Sequence, residues 1–137
     1  MSGICMSEQQ IEDPRLRMTR YVMGLLEDWE LNAQQQVDVL ALPDGTRTRS
    51  LRGFRDDTAF PDTDDVNLRV EHILAIDDAL HTTYPHSNKM GQLWMRRGHR
   101  RFKQRTPVNT IIEDGLQGLV AVRMHLDCSW VSSGPSN

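Results

Sequence analysis

Residues 64–84, DDVNLRVEHILAIDDALHTTY, decide the fold class. Apolar side chains recur along this stretch every three or four positions: Val66, Val70, Ile73, Leu74, Ile76, Leu80 and Tyr84. That spacing places them on one face of a helix, because an α-helix repeats every 3.6 residues. Asp64 and Asp65 add negative charge where the helix dipole is positive. The stretch therefore predicts one long amphipathic helix over residues 65–84.

Two helices are predicted near the start of the chain. Pro14 suits the first position of a helix, where a backbone N–H has no partner, and the apolar spacing after it predicts a helix over residues 14–28. Asn32 can cap a second helix, because its side chain can accept a hydrogen bond from a free N–H of the first turn. The apolar residues of this second helix are Val37, Leu40 and Leu42. The turn Pro43-Asp44-Gly45 is expected to end it.

A short third helix is predicted from Thr46 to Arg55, with Leu51 and Phe54 facing inward. Residues 46–55 hold four arginines and no carboxylate. Two helices and a tight turn precede them, which is where a helix-turn-helix module presents its recognition helix to DNA. We therefore predict DNA contacts from Arg47, Thr48, Arg49, Arg52 and Arg55. The alternative is a solvated helix face whose charge is balanced by Asp56 and Asp57.

Three further helices are predicted after residue 84. The first carries Met90, Leu93 and Trp94 and ends at Gly98; the second starts at Thr106-Pro107 and stops at Gly115; the third runs from Leu116 to Cys128. No alternating strand pattern is present, so the fold class is all-α with about six or seven helices. The side chains expected to be buried in its core are Trp29, Leu74, Ile76 and Leu119.

A second basic stretch, residues 89–105, contains seven lysines and arginines, again without a carboxylate. Trp94 and Phe102 lie within it. Arginine beside aromatic residues is typical of the centre of a protein interface and equally of a nucleic-acid patch. A solvated loop is the third interpretation.

Composition excludes several functional classes. The chain has 137 residues, 38% of them hydrophobic and 26% charged, with a net charge of −3, which indicates one domain or two small subdomains sharing a core. Cys5 and Cys128 form no zinc or disulfide framework. No leader peptide and no membrane span are evident, so we expect a soluble cytoplasmic protein. Nucleotide-binding and hydrolase motifs are absent, and the five histidines lack ligand spacing, so we expect them to be surface imidazoles. We expect no enzyme activity, no metal and no cofactor.

Several segments together are similar to the MbcA/ParS/Xre antitoxin family. In the first half they are Trp29-Glu30-Leu31, Leu40-Ala41-Leu42-Pro43 and the helix from Arg69 through Ile73 to Leu80. In the second half they are Leu93-Trp94, Phe102, Thr106-Pro107, residues 114–123 (DGLQGLVAVR) and Leu126-Asp127. The resemblance covers about residues 22–130, and its second half is the more specific. The family usually has asparagine and glycine where this chain has His99 and Gln104.

The resemblance implies a bacterial antitoxin that represses its own promoter and masks a RES-domain toxin, an enzyme that consumes NAD⁺. It divides the chain into a disordered tail (1–13), a helix-turn-helix-like subdomain (14–62), a toxin-binding subdomain (63–130) and a flexible tail (131–137). The expected partners are operator DNA, the toxin and a second copy of the chain in a homodimer.

Toxin-binding roles follow from this assignment. Arginines of the second basic stretch are expected to grip acidic surface on the toxin, beside Trp94 and Phe102: Arg96, Arg97, Arg100, Arg101 and Arg105. Asp127, Trp130 and the tail from Val131 to Asn137 are expected to occlude the NAD⁺ pocket, because a basic pocket attracts carboxylates. The alternative is a helical interaction or adaptor protein without a toxin and without DNA binding.

Overall fold

The computed structural model describes residues 13–43 and 45–132, the last five of these by backbone only. Within this part, the chain forms seven α-helices and no strand, which confirms the all-α prediction. The helices are α1 (Pro14–Asp28), α2 (Ala33–Leu40), α3 (Leu51–Asp56), α4 (Asp64–Thr83), α5 (Asn88–Met95), α6 (Pro107–Asp114) and α7 (Leu116–Ser132). Single 3₁₀ turns, Thr48–Ser50 and Arg100–Phe102, precede α3 and follow α5. None of the described helices is long and apolar enough to span a bilayer.

Side-chain caps begin five of the helices. The capping residues, whose side chains accept a backbone N–H, are Asp13, Asn32, Thr63, Ser87 and Thr106. At α2 the arrangement is reciprocal, since Gln35 also accepts from the backbone N–H of Asn32. The predicted starts at Pro14, after Asn32 and at Thr106-Pro107 are therefore confirmed.

Helix α4 is central. It packs most extensively against α7 and also contacts α1, α2 and α5. Its buried side chains are Val66, Val70, Ile73, Ile76 and Leu80. Helices α6 and α7 form a second extensive pair, and α3 packs on α1. The segment before α4 is anchored as well, because Arg15 donates to the carbonyl oxygens of Phe60 (2.9 Å) and Pro61 (2.7 Å).

Several burial predictions need correction. Trp29, Ile76 and Leu119 are buried, but Leu74 is only partly buried. In α2, Val39 is buried and Val37 is half-buried. In α5 the buried residues are Gly91 and Met95, whereas Met90 and Leu93 are exposed. Both helices have eight residues and carry apolar side chains on two faces, so periodicity alone does not select the inner one.

Two boundaries also differ from the prediction. The third helical segment begins at Thr48, because Arg47 has an extended backbone (φ −93°, ψ 150°) and its side chain makes no capping hydrogen bond. Helix α7 continues to Ser132, two residues into the segment expected to be a flexible tail. Residues 1–12 and 133–137, expected to be tails, lie outside the described residues.

Candidate functional site

Most of the residues predicted to contact DNA are brought together. Thr48, Arg49, Arg52 and Arg55, with Ala33 from the first turn of α2, line a concavity of about 410 Å³. Arg47 is exposed just before it. We call Arg47, Thr48, Arg49, Arg52 and Arg55 together the arginine concavity. Its exposed guanidinium groups face solvent and would attract an anion.

The four arginines are not equally available. Arg55 lies 2.6 Å from Glu27, and both side chains are almost half-exposed. Among the described residues, Arg47, Arg49 and Arg52 form no hydrogen bond or ion pair through their side chains. An exposed ion pair contributes only about 0–1 kcal/mol, so an incoming phosphate can displace Glu27 from Arg55.

The connection before the arginine concavity is longer than expected. Residues 41–47 join α2 to the 3₁₀ turn, whereas a helix-turn-helix usually has about three or four residues between its helices. The predicted turn is present, with a hydrogen bond of 3.1 Å from the N–H of Thr46 to the carbonyl of Pro43. Helix α3 has only six residues. The first half of the chain therefore departs from standard helix-turn-helix geometry.

The second half contains an aromatic cluster, formed by Trp94, His99, Phe102 and His125. The Trp94 ring stacks on His125 (centroids 5.9 Å apart, planes 16°) and lies 4.7 Å from His99. Phe102 meets His125 edge-on at 5.3 Å. A ring nitrogen of His99 lies 3.1 Å from the Trp94 carbonyl oxygen. The cluster fixes α5, the 3₁₀ turn and α7 to one another.

Exposed apolar side chains border the aromatic cluster. Leu93 is 42% exposed and Met124 is 58% exposed, and each adjoins a cluster residue in sequence. Phe102 is only 4% exposed, so it supports this surface from beneath, and its predicted contact with a toxin stays a prediction. A concavity of about 270 Å³ follows the same edge, lined by Arg101, Phe102, Ala121, Met124 and His125.

The five arginines predicted to bind the toxin divide into two groups. Arg97, Arg100 and Arg101 are exposed and make no side-chain hydrogen bond or ion pair within the described part of the chain. Arg96 lies 2.6 Å from Glu30, and Arg105 lies 2.9 Å from Glu113 and 3.1 Å from Asp114. These two therefore bind carboxylates of their own chain, and their predicted contacts with a toxin stay a prediction. The remaining three, with Leu93, Trp94, Met124 and His125, define the aromatic–arginine surface.

Backbone geometry holds Arg100 and Arg101 in place. The N–H of His99 donates to the carbonyl of Arg105 (3.1 Å), and the N–H of Gln104 donates to that of His99 (2.9 Å). Gln104 has a φ of +68°, in the left-handed region that favours glycine.

His125 is the residue of this surface that the sequence did not reveal. Its ring is half-buried in the aromatic cluster and not a freely exposed imidazole, and burial, with the neighbouring charges of Arg101 and His99, lowers its pKa. Its Nδ1 is buried without a hydrogen-bond partner among the described residues. The lowered pKa favours the uncharged imidazole, which stacks on Trp94. No short-range pattern joins His125 to Trp94, since 31 positions separate them.

Asp127, one of the residues assigned to pocket occlusion, does not lie on this surface. Asp127 lies beside α4, in a groove of about 410 Å³ with Asp78, Thr82 and Arg123. It is two positions from His125, and two positions on a helix turn a side chain by about 200°, to the other face. The Trp130 side chain and residues 133–137 lie outside the described residues. Among those described, no group of three or more side chains is placed to bind a metal ion.

Comparison with known proteins adds no family. No protein-family model matches the chain, and no curated protein is significantly similar to it.

Proposed function

We propose that the chain is an antitoxin that binds and neutralises a RES-domain toxin through the aromatic–arginine surface. The observation that supports this best is a stacked Trp94–His125 pair bordered by exposed Leu93 and Met124 and by arginines that have no partner in the described part of the chain. Tryptophan and arginine are the residues most enriched in interface hot spots. Exposed apolar side chains gain free energy when a partner covers them.

The charge of this surface selects the partner's chemistry. Arg97, Arg100 and Arg101 stand beside apolar side chains, so the matching surface presents acidic side chains around an apolar centre. The protein acts by binding and not by catalysis. The tail beyond Ser132 occludes the NAD⁺ pocket of the toxin in this proposal.

The same proposal assigns the arginine concavity to operator DNA. Three guanidinium groups that have no partner among the described residues can each neutralise a phosphate, which releases counterions and makes binding strongly dependent on salt. A homodimer would contact two half-sites of a palindrome in the upstream region of its own gene.

Two triple variants with equal charge change test the two surfaces against each other. One replaces Arg97, Arg100 and Arg101 by alanine, and the other replaces Arg47, Arg49 and Arg52. We expect the first variant to lose protection against the toxin, measured as cellular NAD⁺ during co-expression, and to retain binding to its upstream DNA. The second variant should protect normally but bind its upstream DNA weakly. The slope of the logarithm of its DNA-binding constant against the logarithm of salt concentration should be smaller in magnitude by about 0.9 for each phosphate that it no longer neutralises.

The results that would contradict the proposal are specific to each surface. Full protection by the first variant would exclude the aromatic–arginine surface as the toxin site. A chain ending at Ser132 that protects as well as the full chain would exclude occlusion by the tail. Circular dichroism of every variant establishes that it is folded.

A second candidate is an adaptor that binds a protein partner but not DNA. The long connection over residues 41–47 and the six-residue α3 favour it. Two results would support this candidate over the antitoxin. The wild-type protein would leave the electrophoretic mobility of its upstream DNA unchanged at low salt, and no RES-domain reading frame would lie beside the gene.

A further inference from the structure

A fourth concavity, of about 340 Å³, lies between α1, α4 and α5 and shares no lining residue with the arginine concavity or the aromatic–arginine surface. Its apolar lining comes from the core, with Leu25, Trp29 and Leu80 almost completely buried. Polar side chains also line it, Tyr84 and Asn88 among them. We call it the α1–α4–α5 groove. Its size is near the lower end of ligand pockets, about 300 Å³.

Gly24 forms part of one wall of the groove and has no packing role within the described structure. It lies inside the 15-residue helix α1, and a Cβ added there would meet no atom within 4 Å. Gly118 is the opposite case, because a Cβ there would lie 2.3 Å from the Thr110 carbonyl oxygen. Glycine inside a helix is destabilising relative to alanine. Glycine at position 24 therefore lowers the stability of α1 and leaves the groove wall open.

Two carboxylates, Asp28 and Asp77, and one guanidinium, that of Arg20, line the groove, so negative groups outnumber positive ones. The Tyr21 hydroxyl donates to Asp77, and this hydrogen bond, with burial and the charges of Asp77, Asp28 and Asp78, raises the pKa of Tyr21 to about 12. Among the described residues, the Asp28 carboxylate receives no hydrogen bond and pairs with no cation. Of the basic residues at the groove, His81 has a ring nitrogen 3.3 Å from a carboxylate oxygen of Asp77, and Arg20 donates to the backbone carbonyl of Asp56 (2.6 Å).

We propose that the α1–α4–α5 groove binds the side chain of an arginine carried by a partner protein. A planar guanidinium forms paired hydrogen bonds with a carboxylate and stacks on aromatic rings, and Asp28, Tyr21 and Tyr84 provide both kinds of group. The apolar lining accommodates the methylene stem. The open wall at Gly24 admits a side chain that projects from another chain. This site does not depend on the antitoxin assignment.

Short peptides test the proposal by NMR with the full chain. The probe is acetyl-Ala-Arg-Ala-amide, and the matched control contains citrulline, a neutral isostere of arginine. We expect the arginine peptide to shift the amide signals of Gly24 and Gly91 saturably, and the citrulline peptide to bind about tenfold more weakly or worse. Asp28→Asn should weaken binding to a similar extent, while Asp65→Asn, an exposed acid outside the groove, should not.

Gly24→Ala separates ligand binding from stability. The variant should melt at a higher temperature than the wild type, because alanine favours the helix, and yet bind the arginine peptide several-fold more weakly. Equal affinity of the arginine and citrulline peptides, or unchanged affinity in Gly24→Ala, would overturn the proposal. Agmatine is a free alkylguanidinium. If agmatine binds more tightly than the arginine peptide, the assignment to a protein partner is overturned.

Discussion

At the scale of single residues, two glycines determine how α6 joins α7. Gly115 has a φ of +63° and a ψ of −129°, a conformation that side chains other than hydrogen strongly disfavour. Three positions later, a Cβ on Gly118 would lie 2.3 Å from the Thr110 carbonyl oxygen and 2.9 Å from the Ile111 Cα. Both are backbone atoms, so a side chain at Gly118 would force the helices apart.

We therefore predict that Gly118→Ala destabilises the protein by about 2 kcal/mol or more, since overpacking typically costs about 1–3 kcal/mol. The measurement is the free energy of unfolding in urea. Gly24→Ala is the matched control and should raise stability by about 0.5–1 kcal/mol. Equal effects of the two substitutions would show that the close approach at Gly118 does not exist.

His125 makes stability depend on pH. Burial, with Arg101 and His99 nearby, lowers the pKa of its imidazole in the folded protein below the ordinary 6.5. The unfolded chain therefore binds more protons below about pH 6.5, and the folded state loses stability as the pH falls through that value. His72 adds to the same trend, because burial and Arg123 lower its pKa too.

We predict that His125→Phe, which keeps an aromatic ring but cannot titrate, reduces this loss of stability. Urea unfolding between about pH 7.5 and about pH 5.5 should show a shallower slope in the variant, with the contribution of His72 remaining. An NMR titration of the wild type should place the midpoint of His125 below 6.5. Identical slopes in both proteins would contradict the prediction.

At the scale of elements, α2 shows how local chemistry starts a short helix. Its eight residues are too few for a stable isolated helix. The reciprocal hydrogen bonds between Asn32 and Gln35 satisfy two N–H groups that the helix leaves free (2.8 and 2.9 Å). Packing then holds it, since Val39 and Leu40 are buried and Arg69 donates to the Val39 carbonyl (3.2 Å).

We predict that Asn32→Ala costs about 1 kcal/mol, the usual contribution of a side-chain cap. The control is Asn109→Ala, at an exposed position in the first turn of α6, where the Asn109 side chain has no described partner. Urea unfolding of both variants measures the difference. A cost at Asn109 equal to that at Asn32 would mean that the cap adds nothing.

At the scale of the whole molecule, α4 and α7 connect the two halves of the chain. The inner face of α4 contacts α1 and α2 from the first half and α7 from the second. Leu119 of α7 is fully buried, while Leu74 of α4 is only partly buried. The stability of the whole molecule therefore depends more on the shared core than on the outward face of α4.

We predict that Leu119→Ala costs about 2–5 kcal/mol and that Leu74→Ala costs clearly less, because truncation of a fully buried leucine leaves a cavity. Both halves should unfold in one transition, followed by circular dichroism and by tryptophan fluorescence. Separate transitions for the two probes would show that the halves are independent domains. If Leu119→Ala fails to fold, Leu119→Val provides the smaller perturbation.

Sequence patterns alone determined the fold class and several of the helix starts. Asn32 and the pair Thr106-Pro107 mark those starts, and the spacing of Ile76 and Leu119 marks buried positions. These features act through hydrogen bonds and side-chain contacts within one or two helical turns, so the order of residues contains them. The arginine-rich segments, candidate surfaces of the protein, were visible for the same reason.

Only the tertiary structure decided which of those side chains are available. Arg96 pairs with Glu30 across 66 positions, and Trp94 stacks on His125 across 31. The groove at Gly24 and the close approach at Gly118 likewise arise where separate helices meet. Such contacts depend on the packing of distant segments, which periodicity and capping do not specify, because both describe one helix at a time.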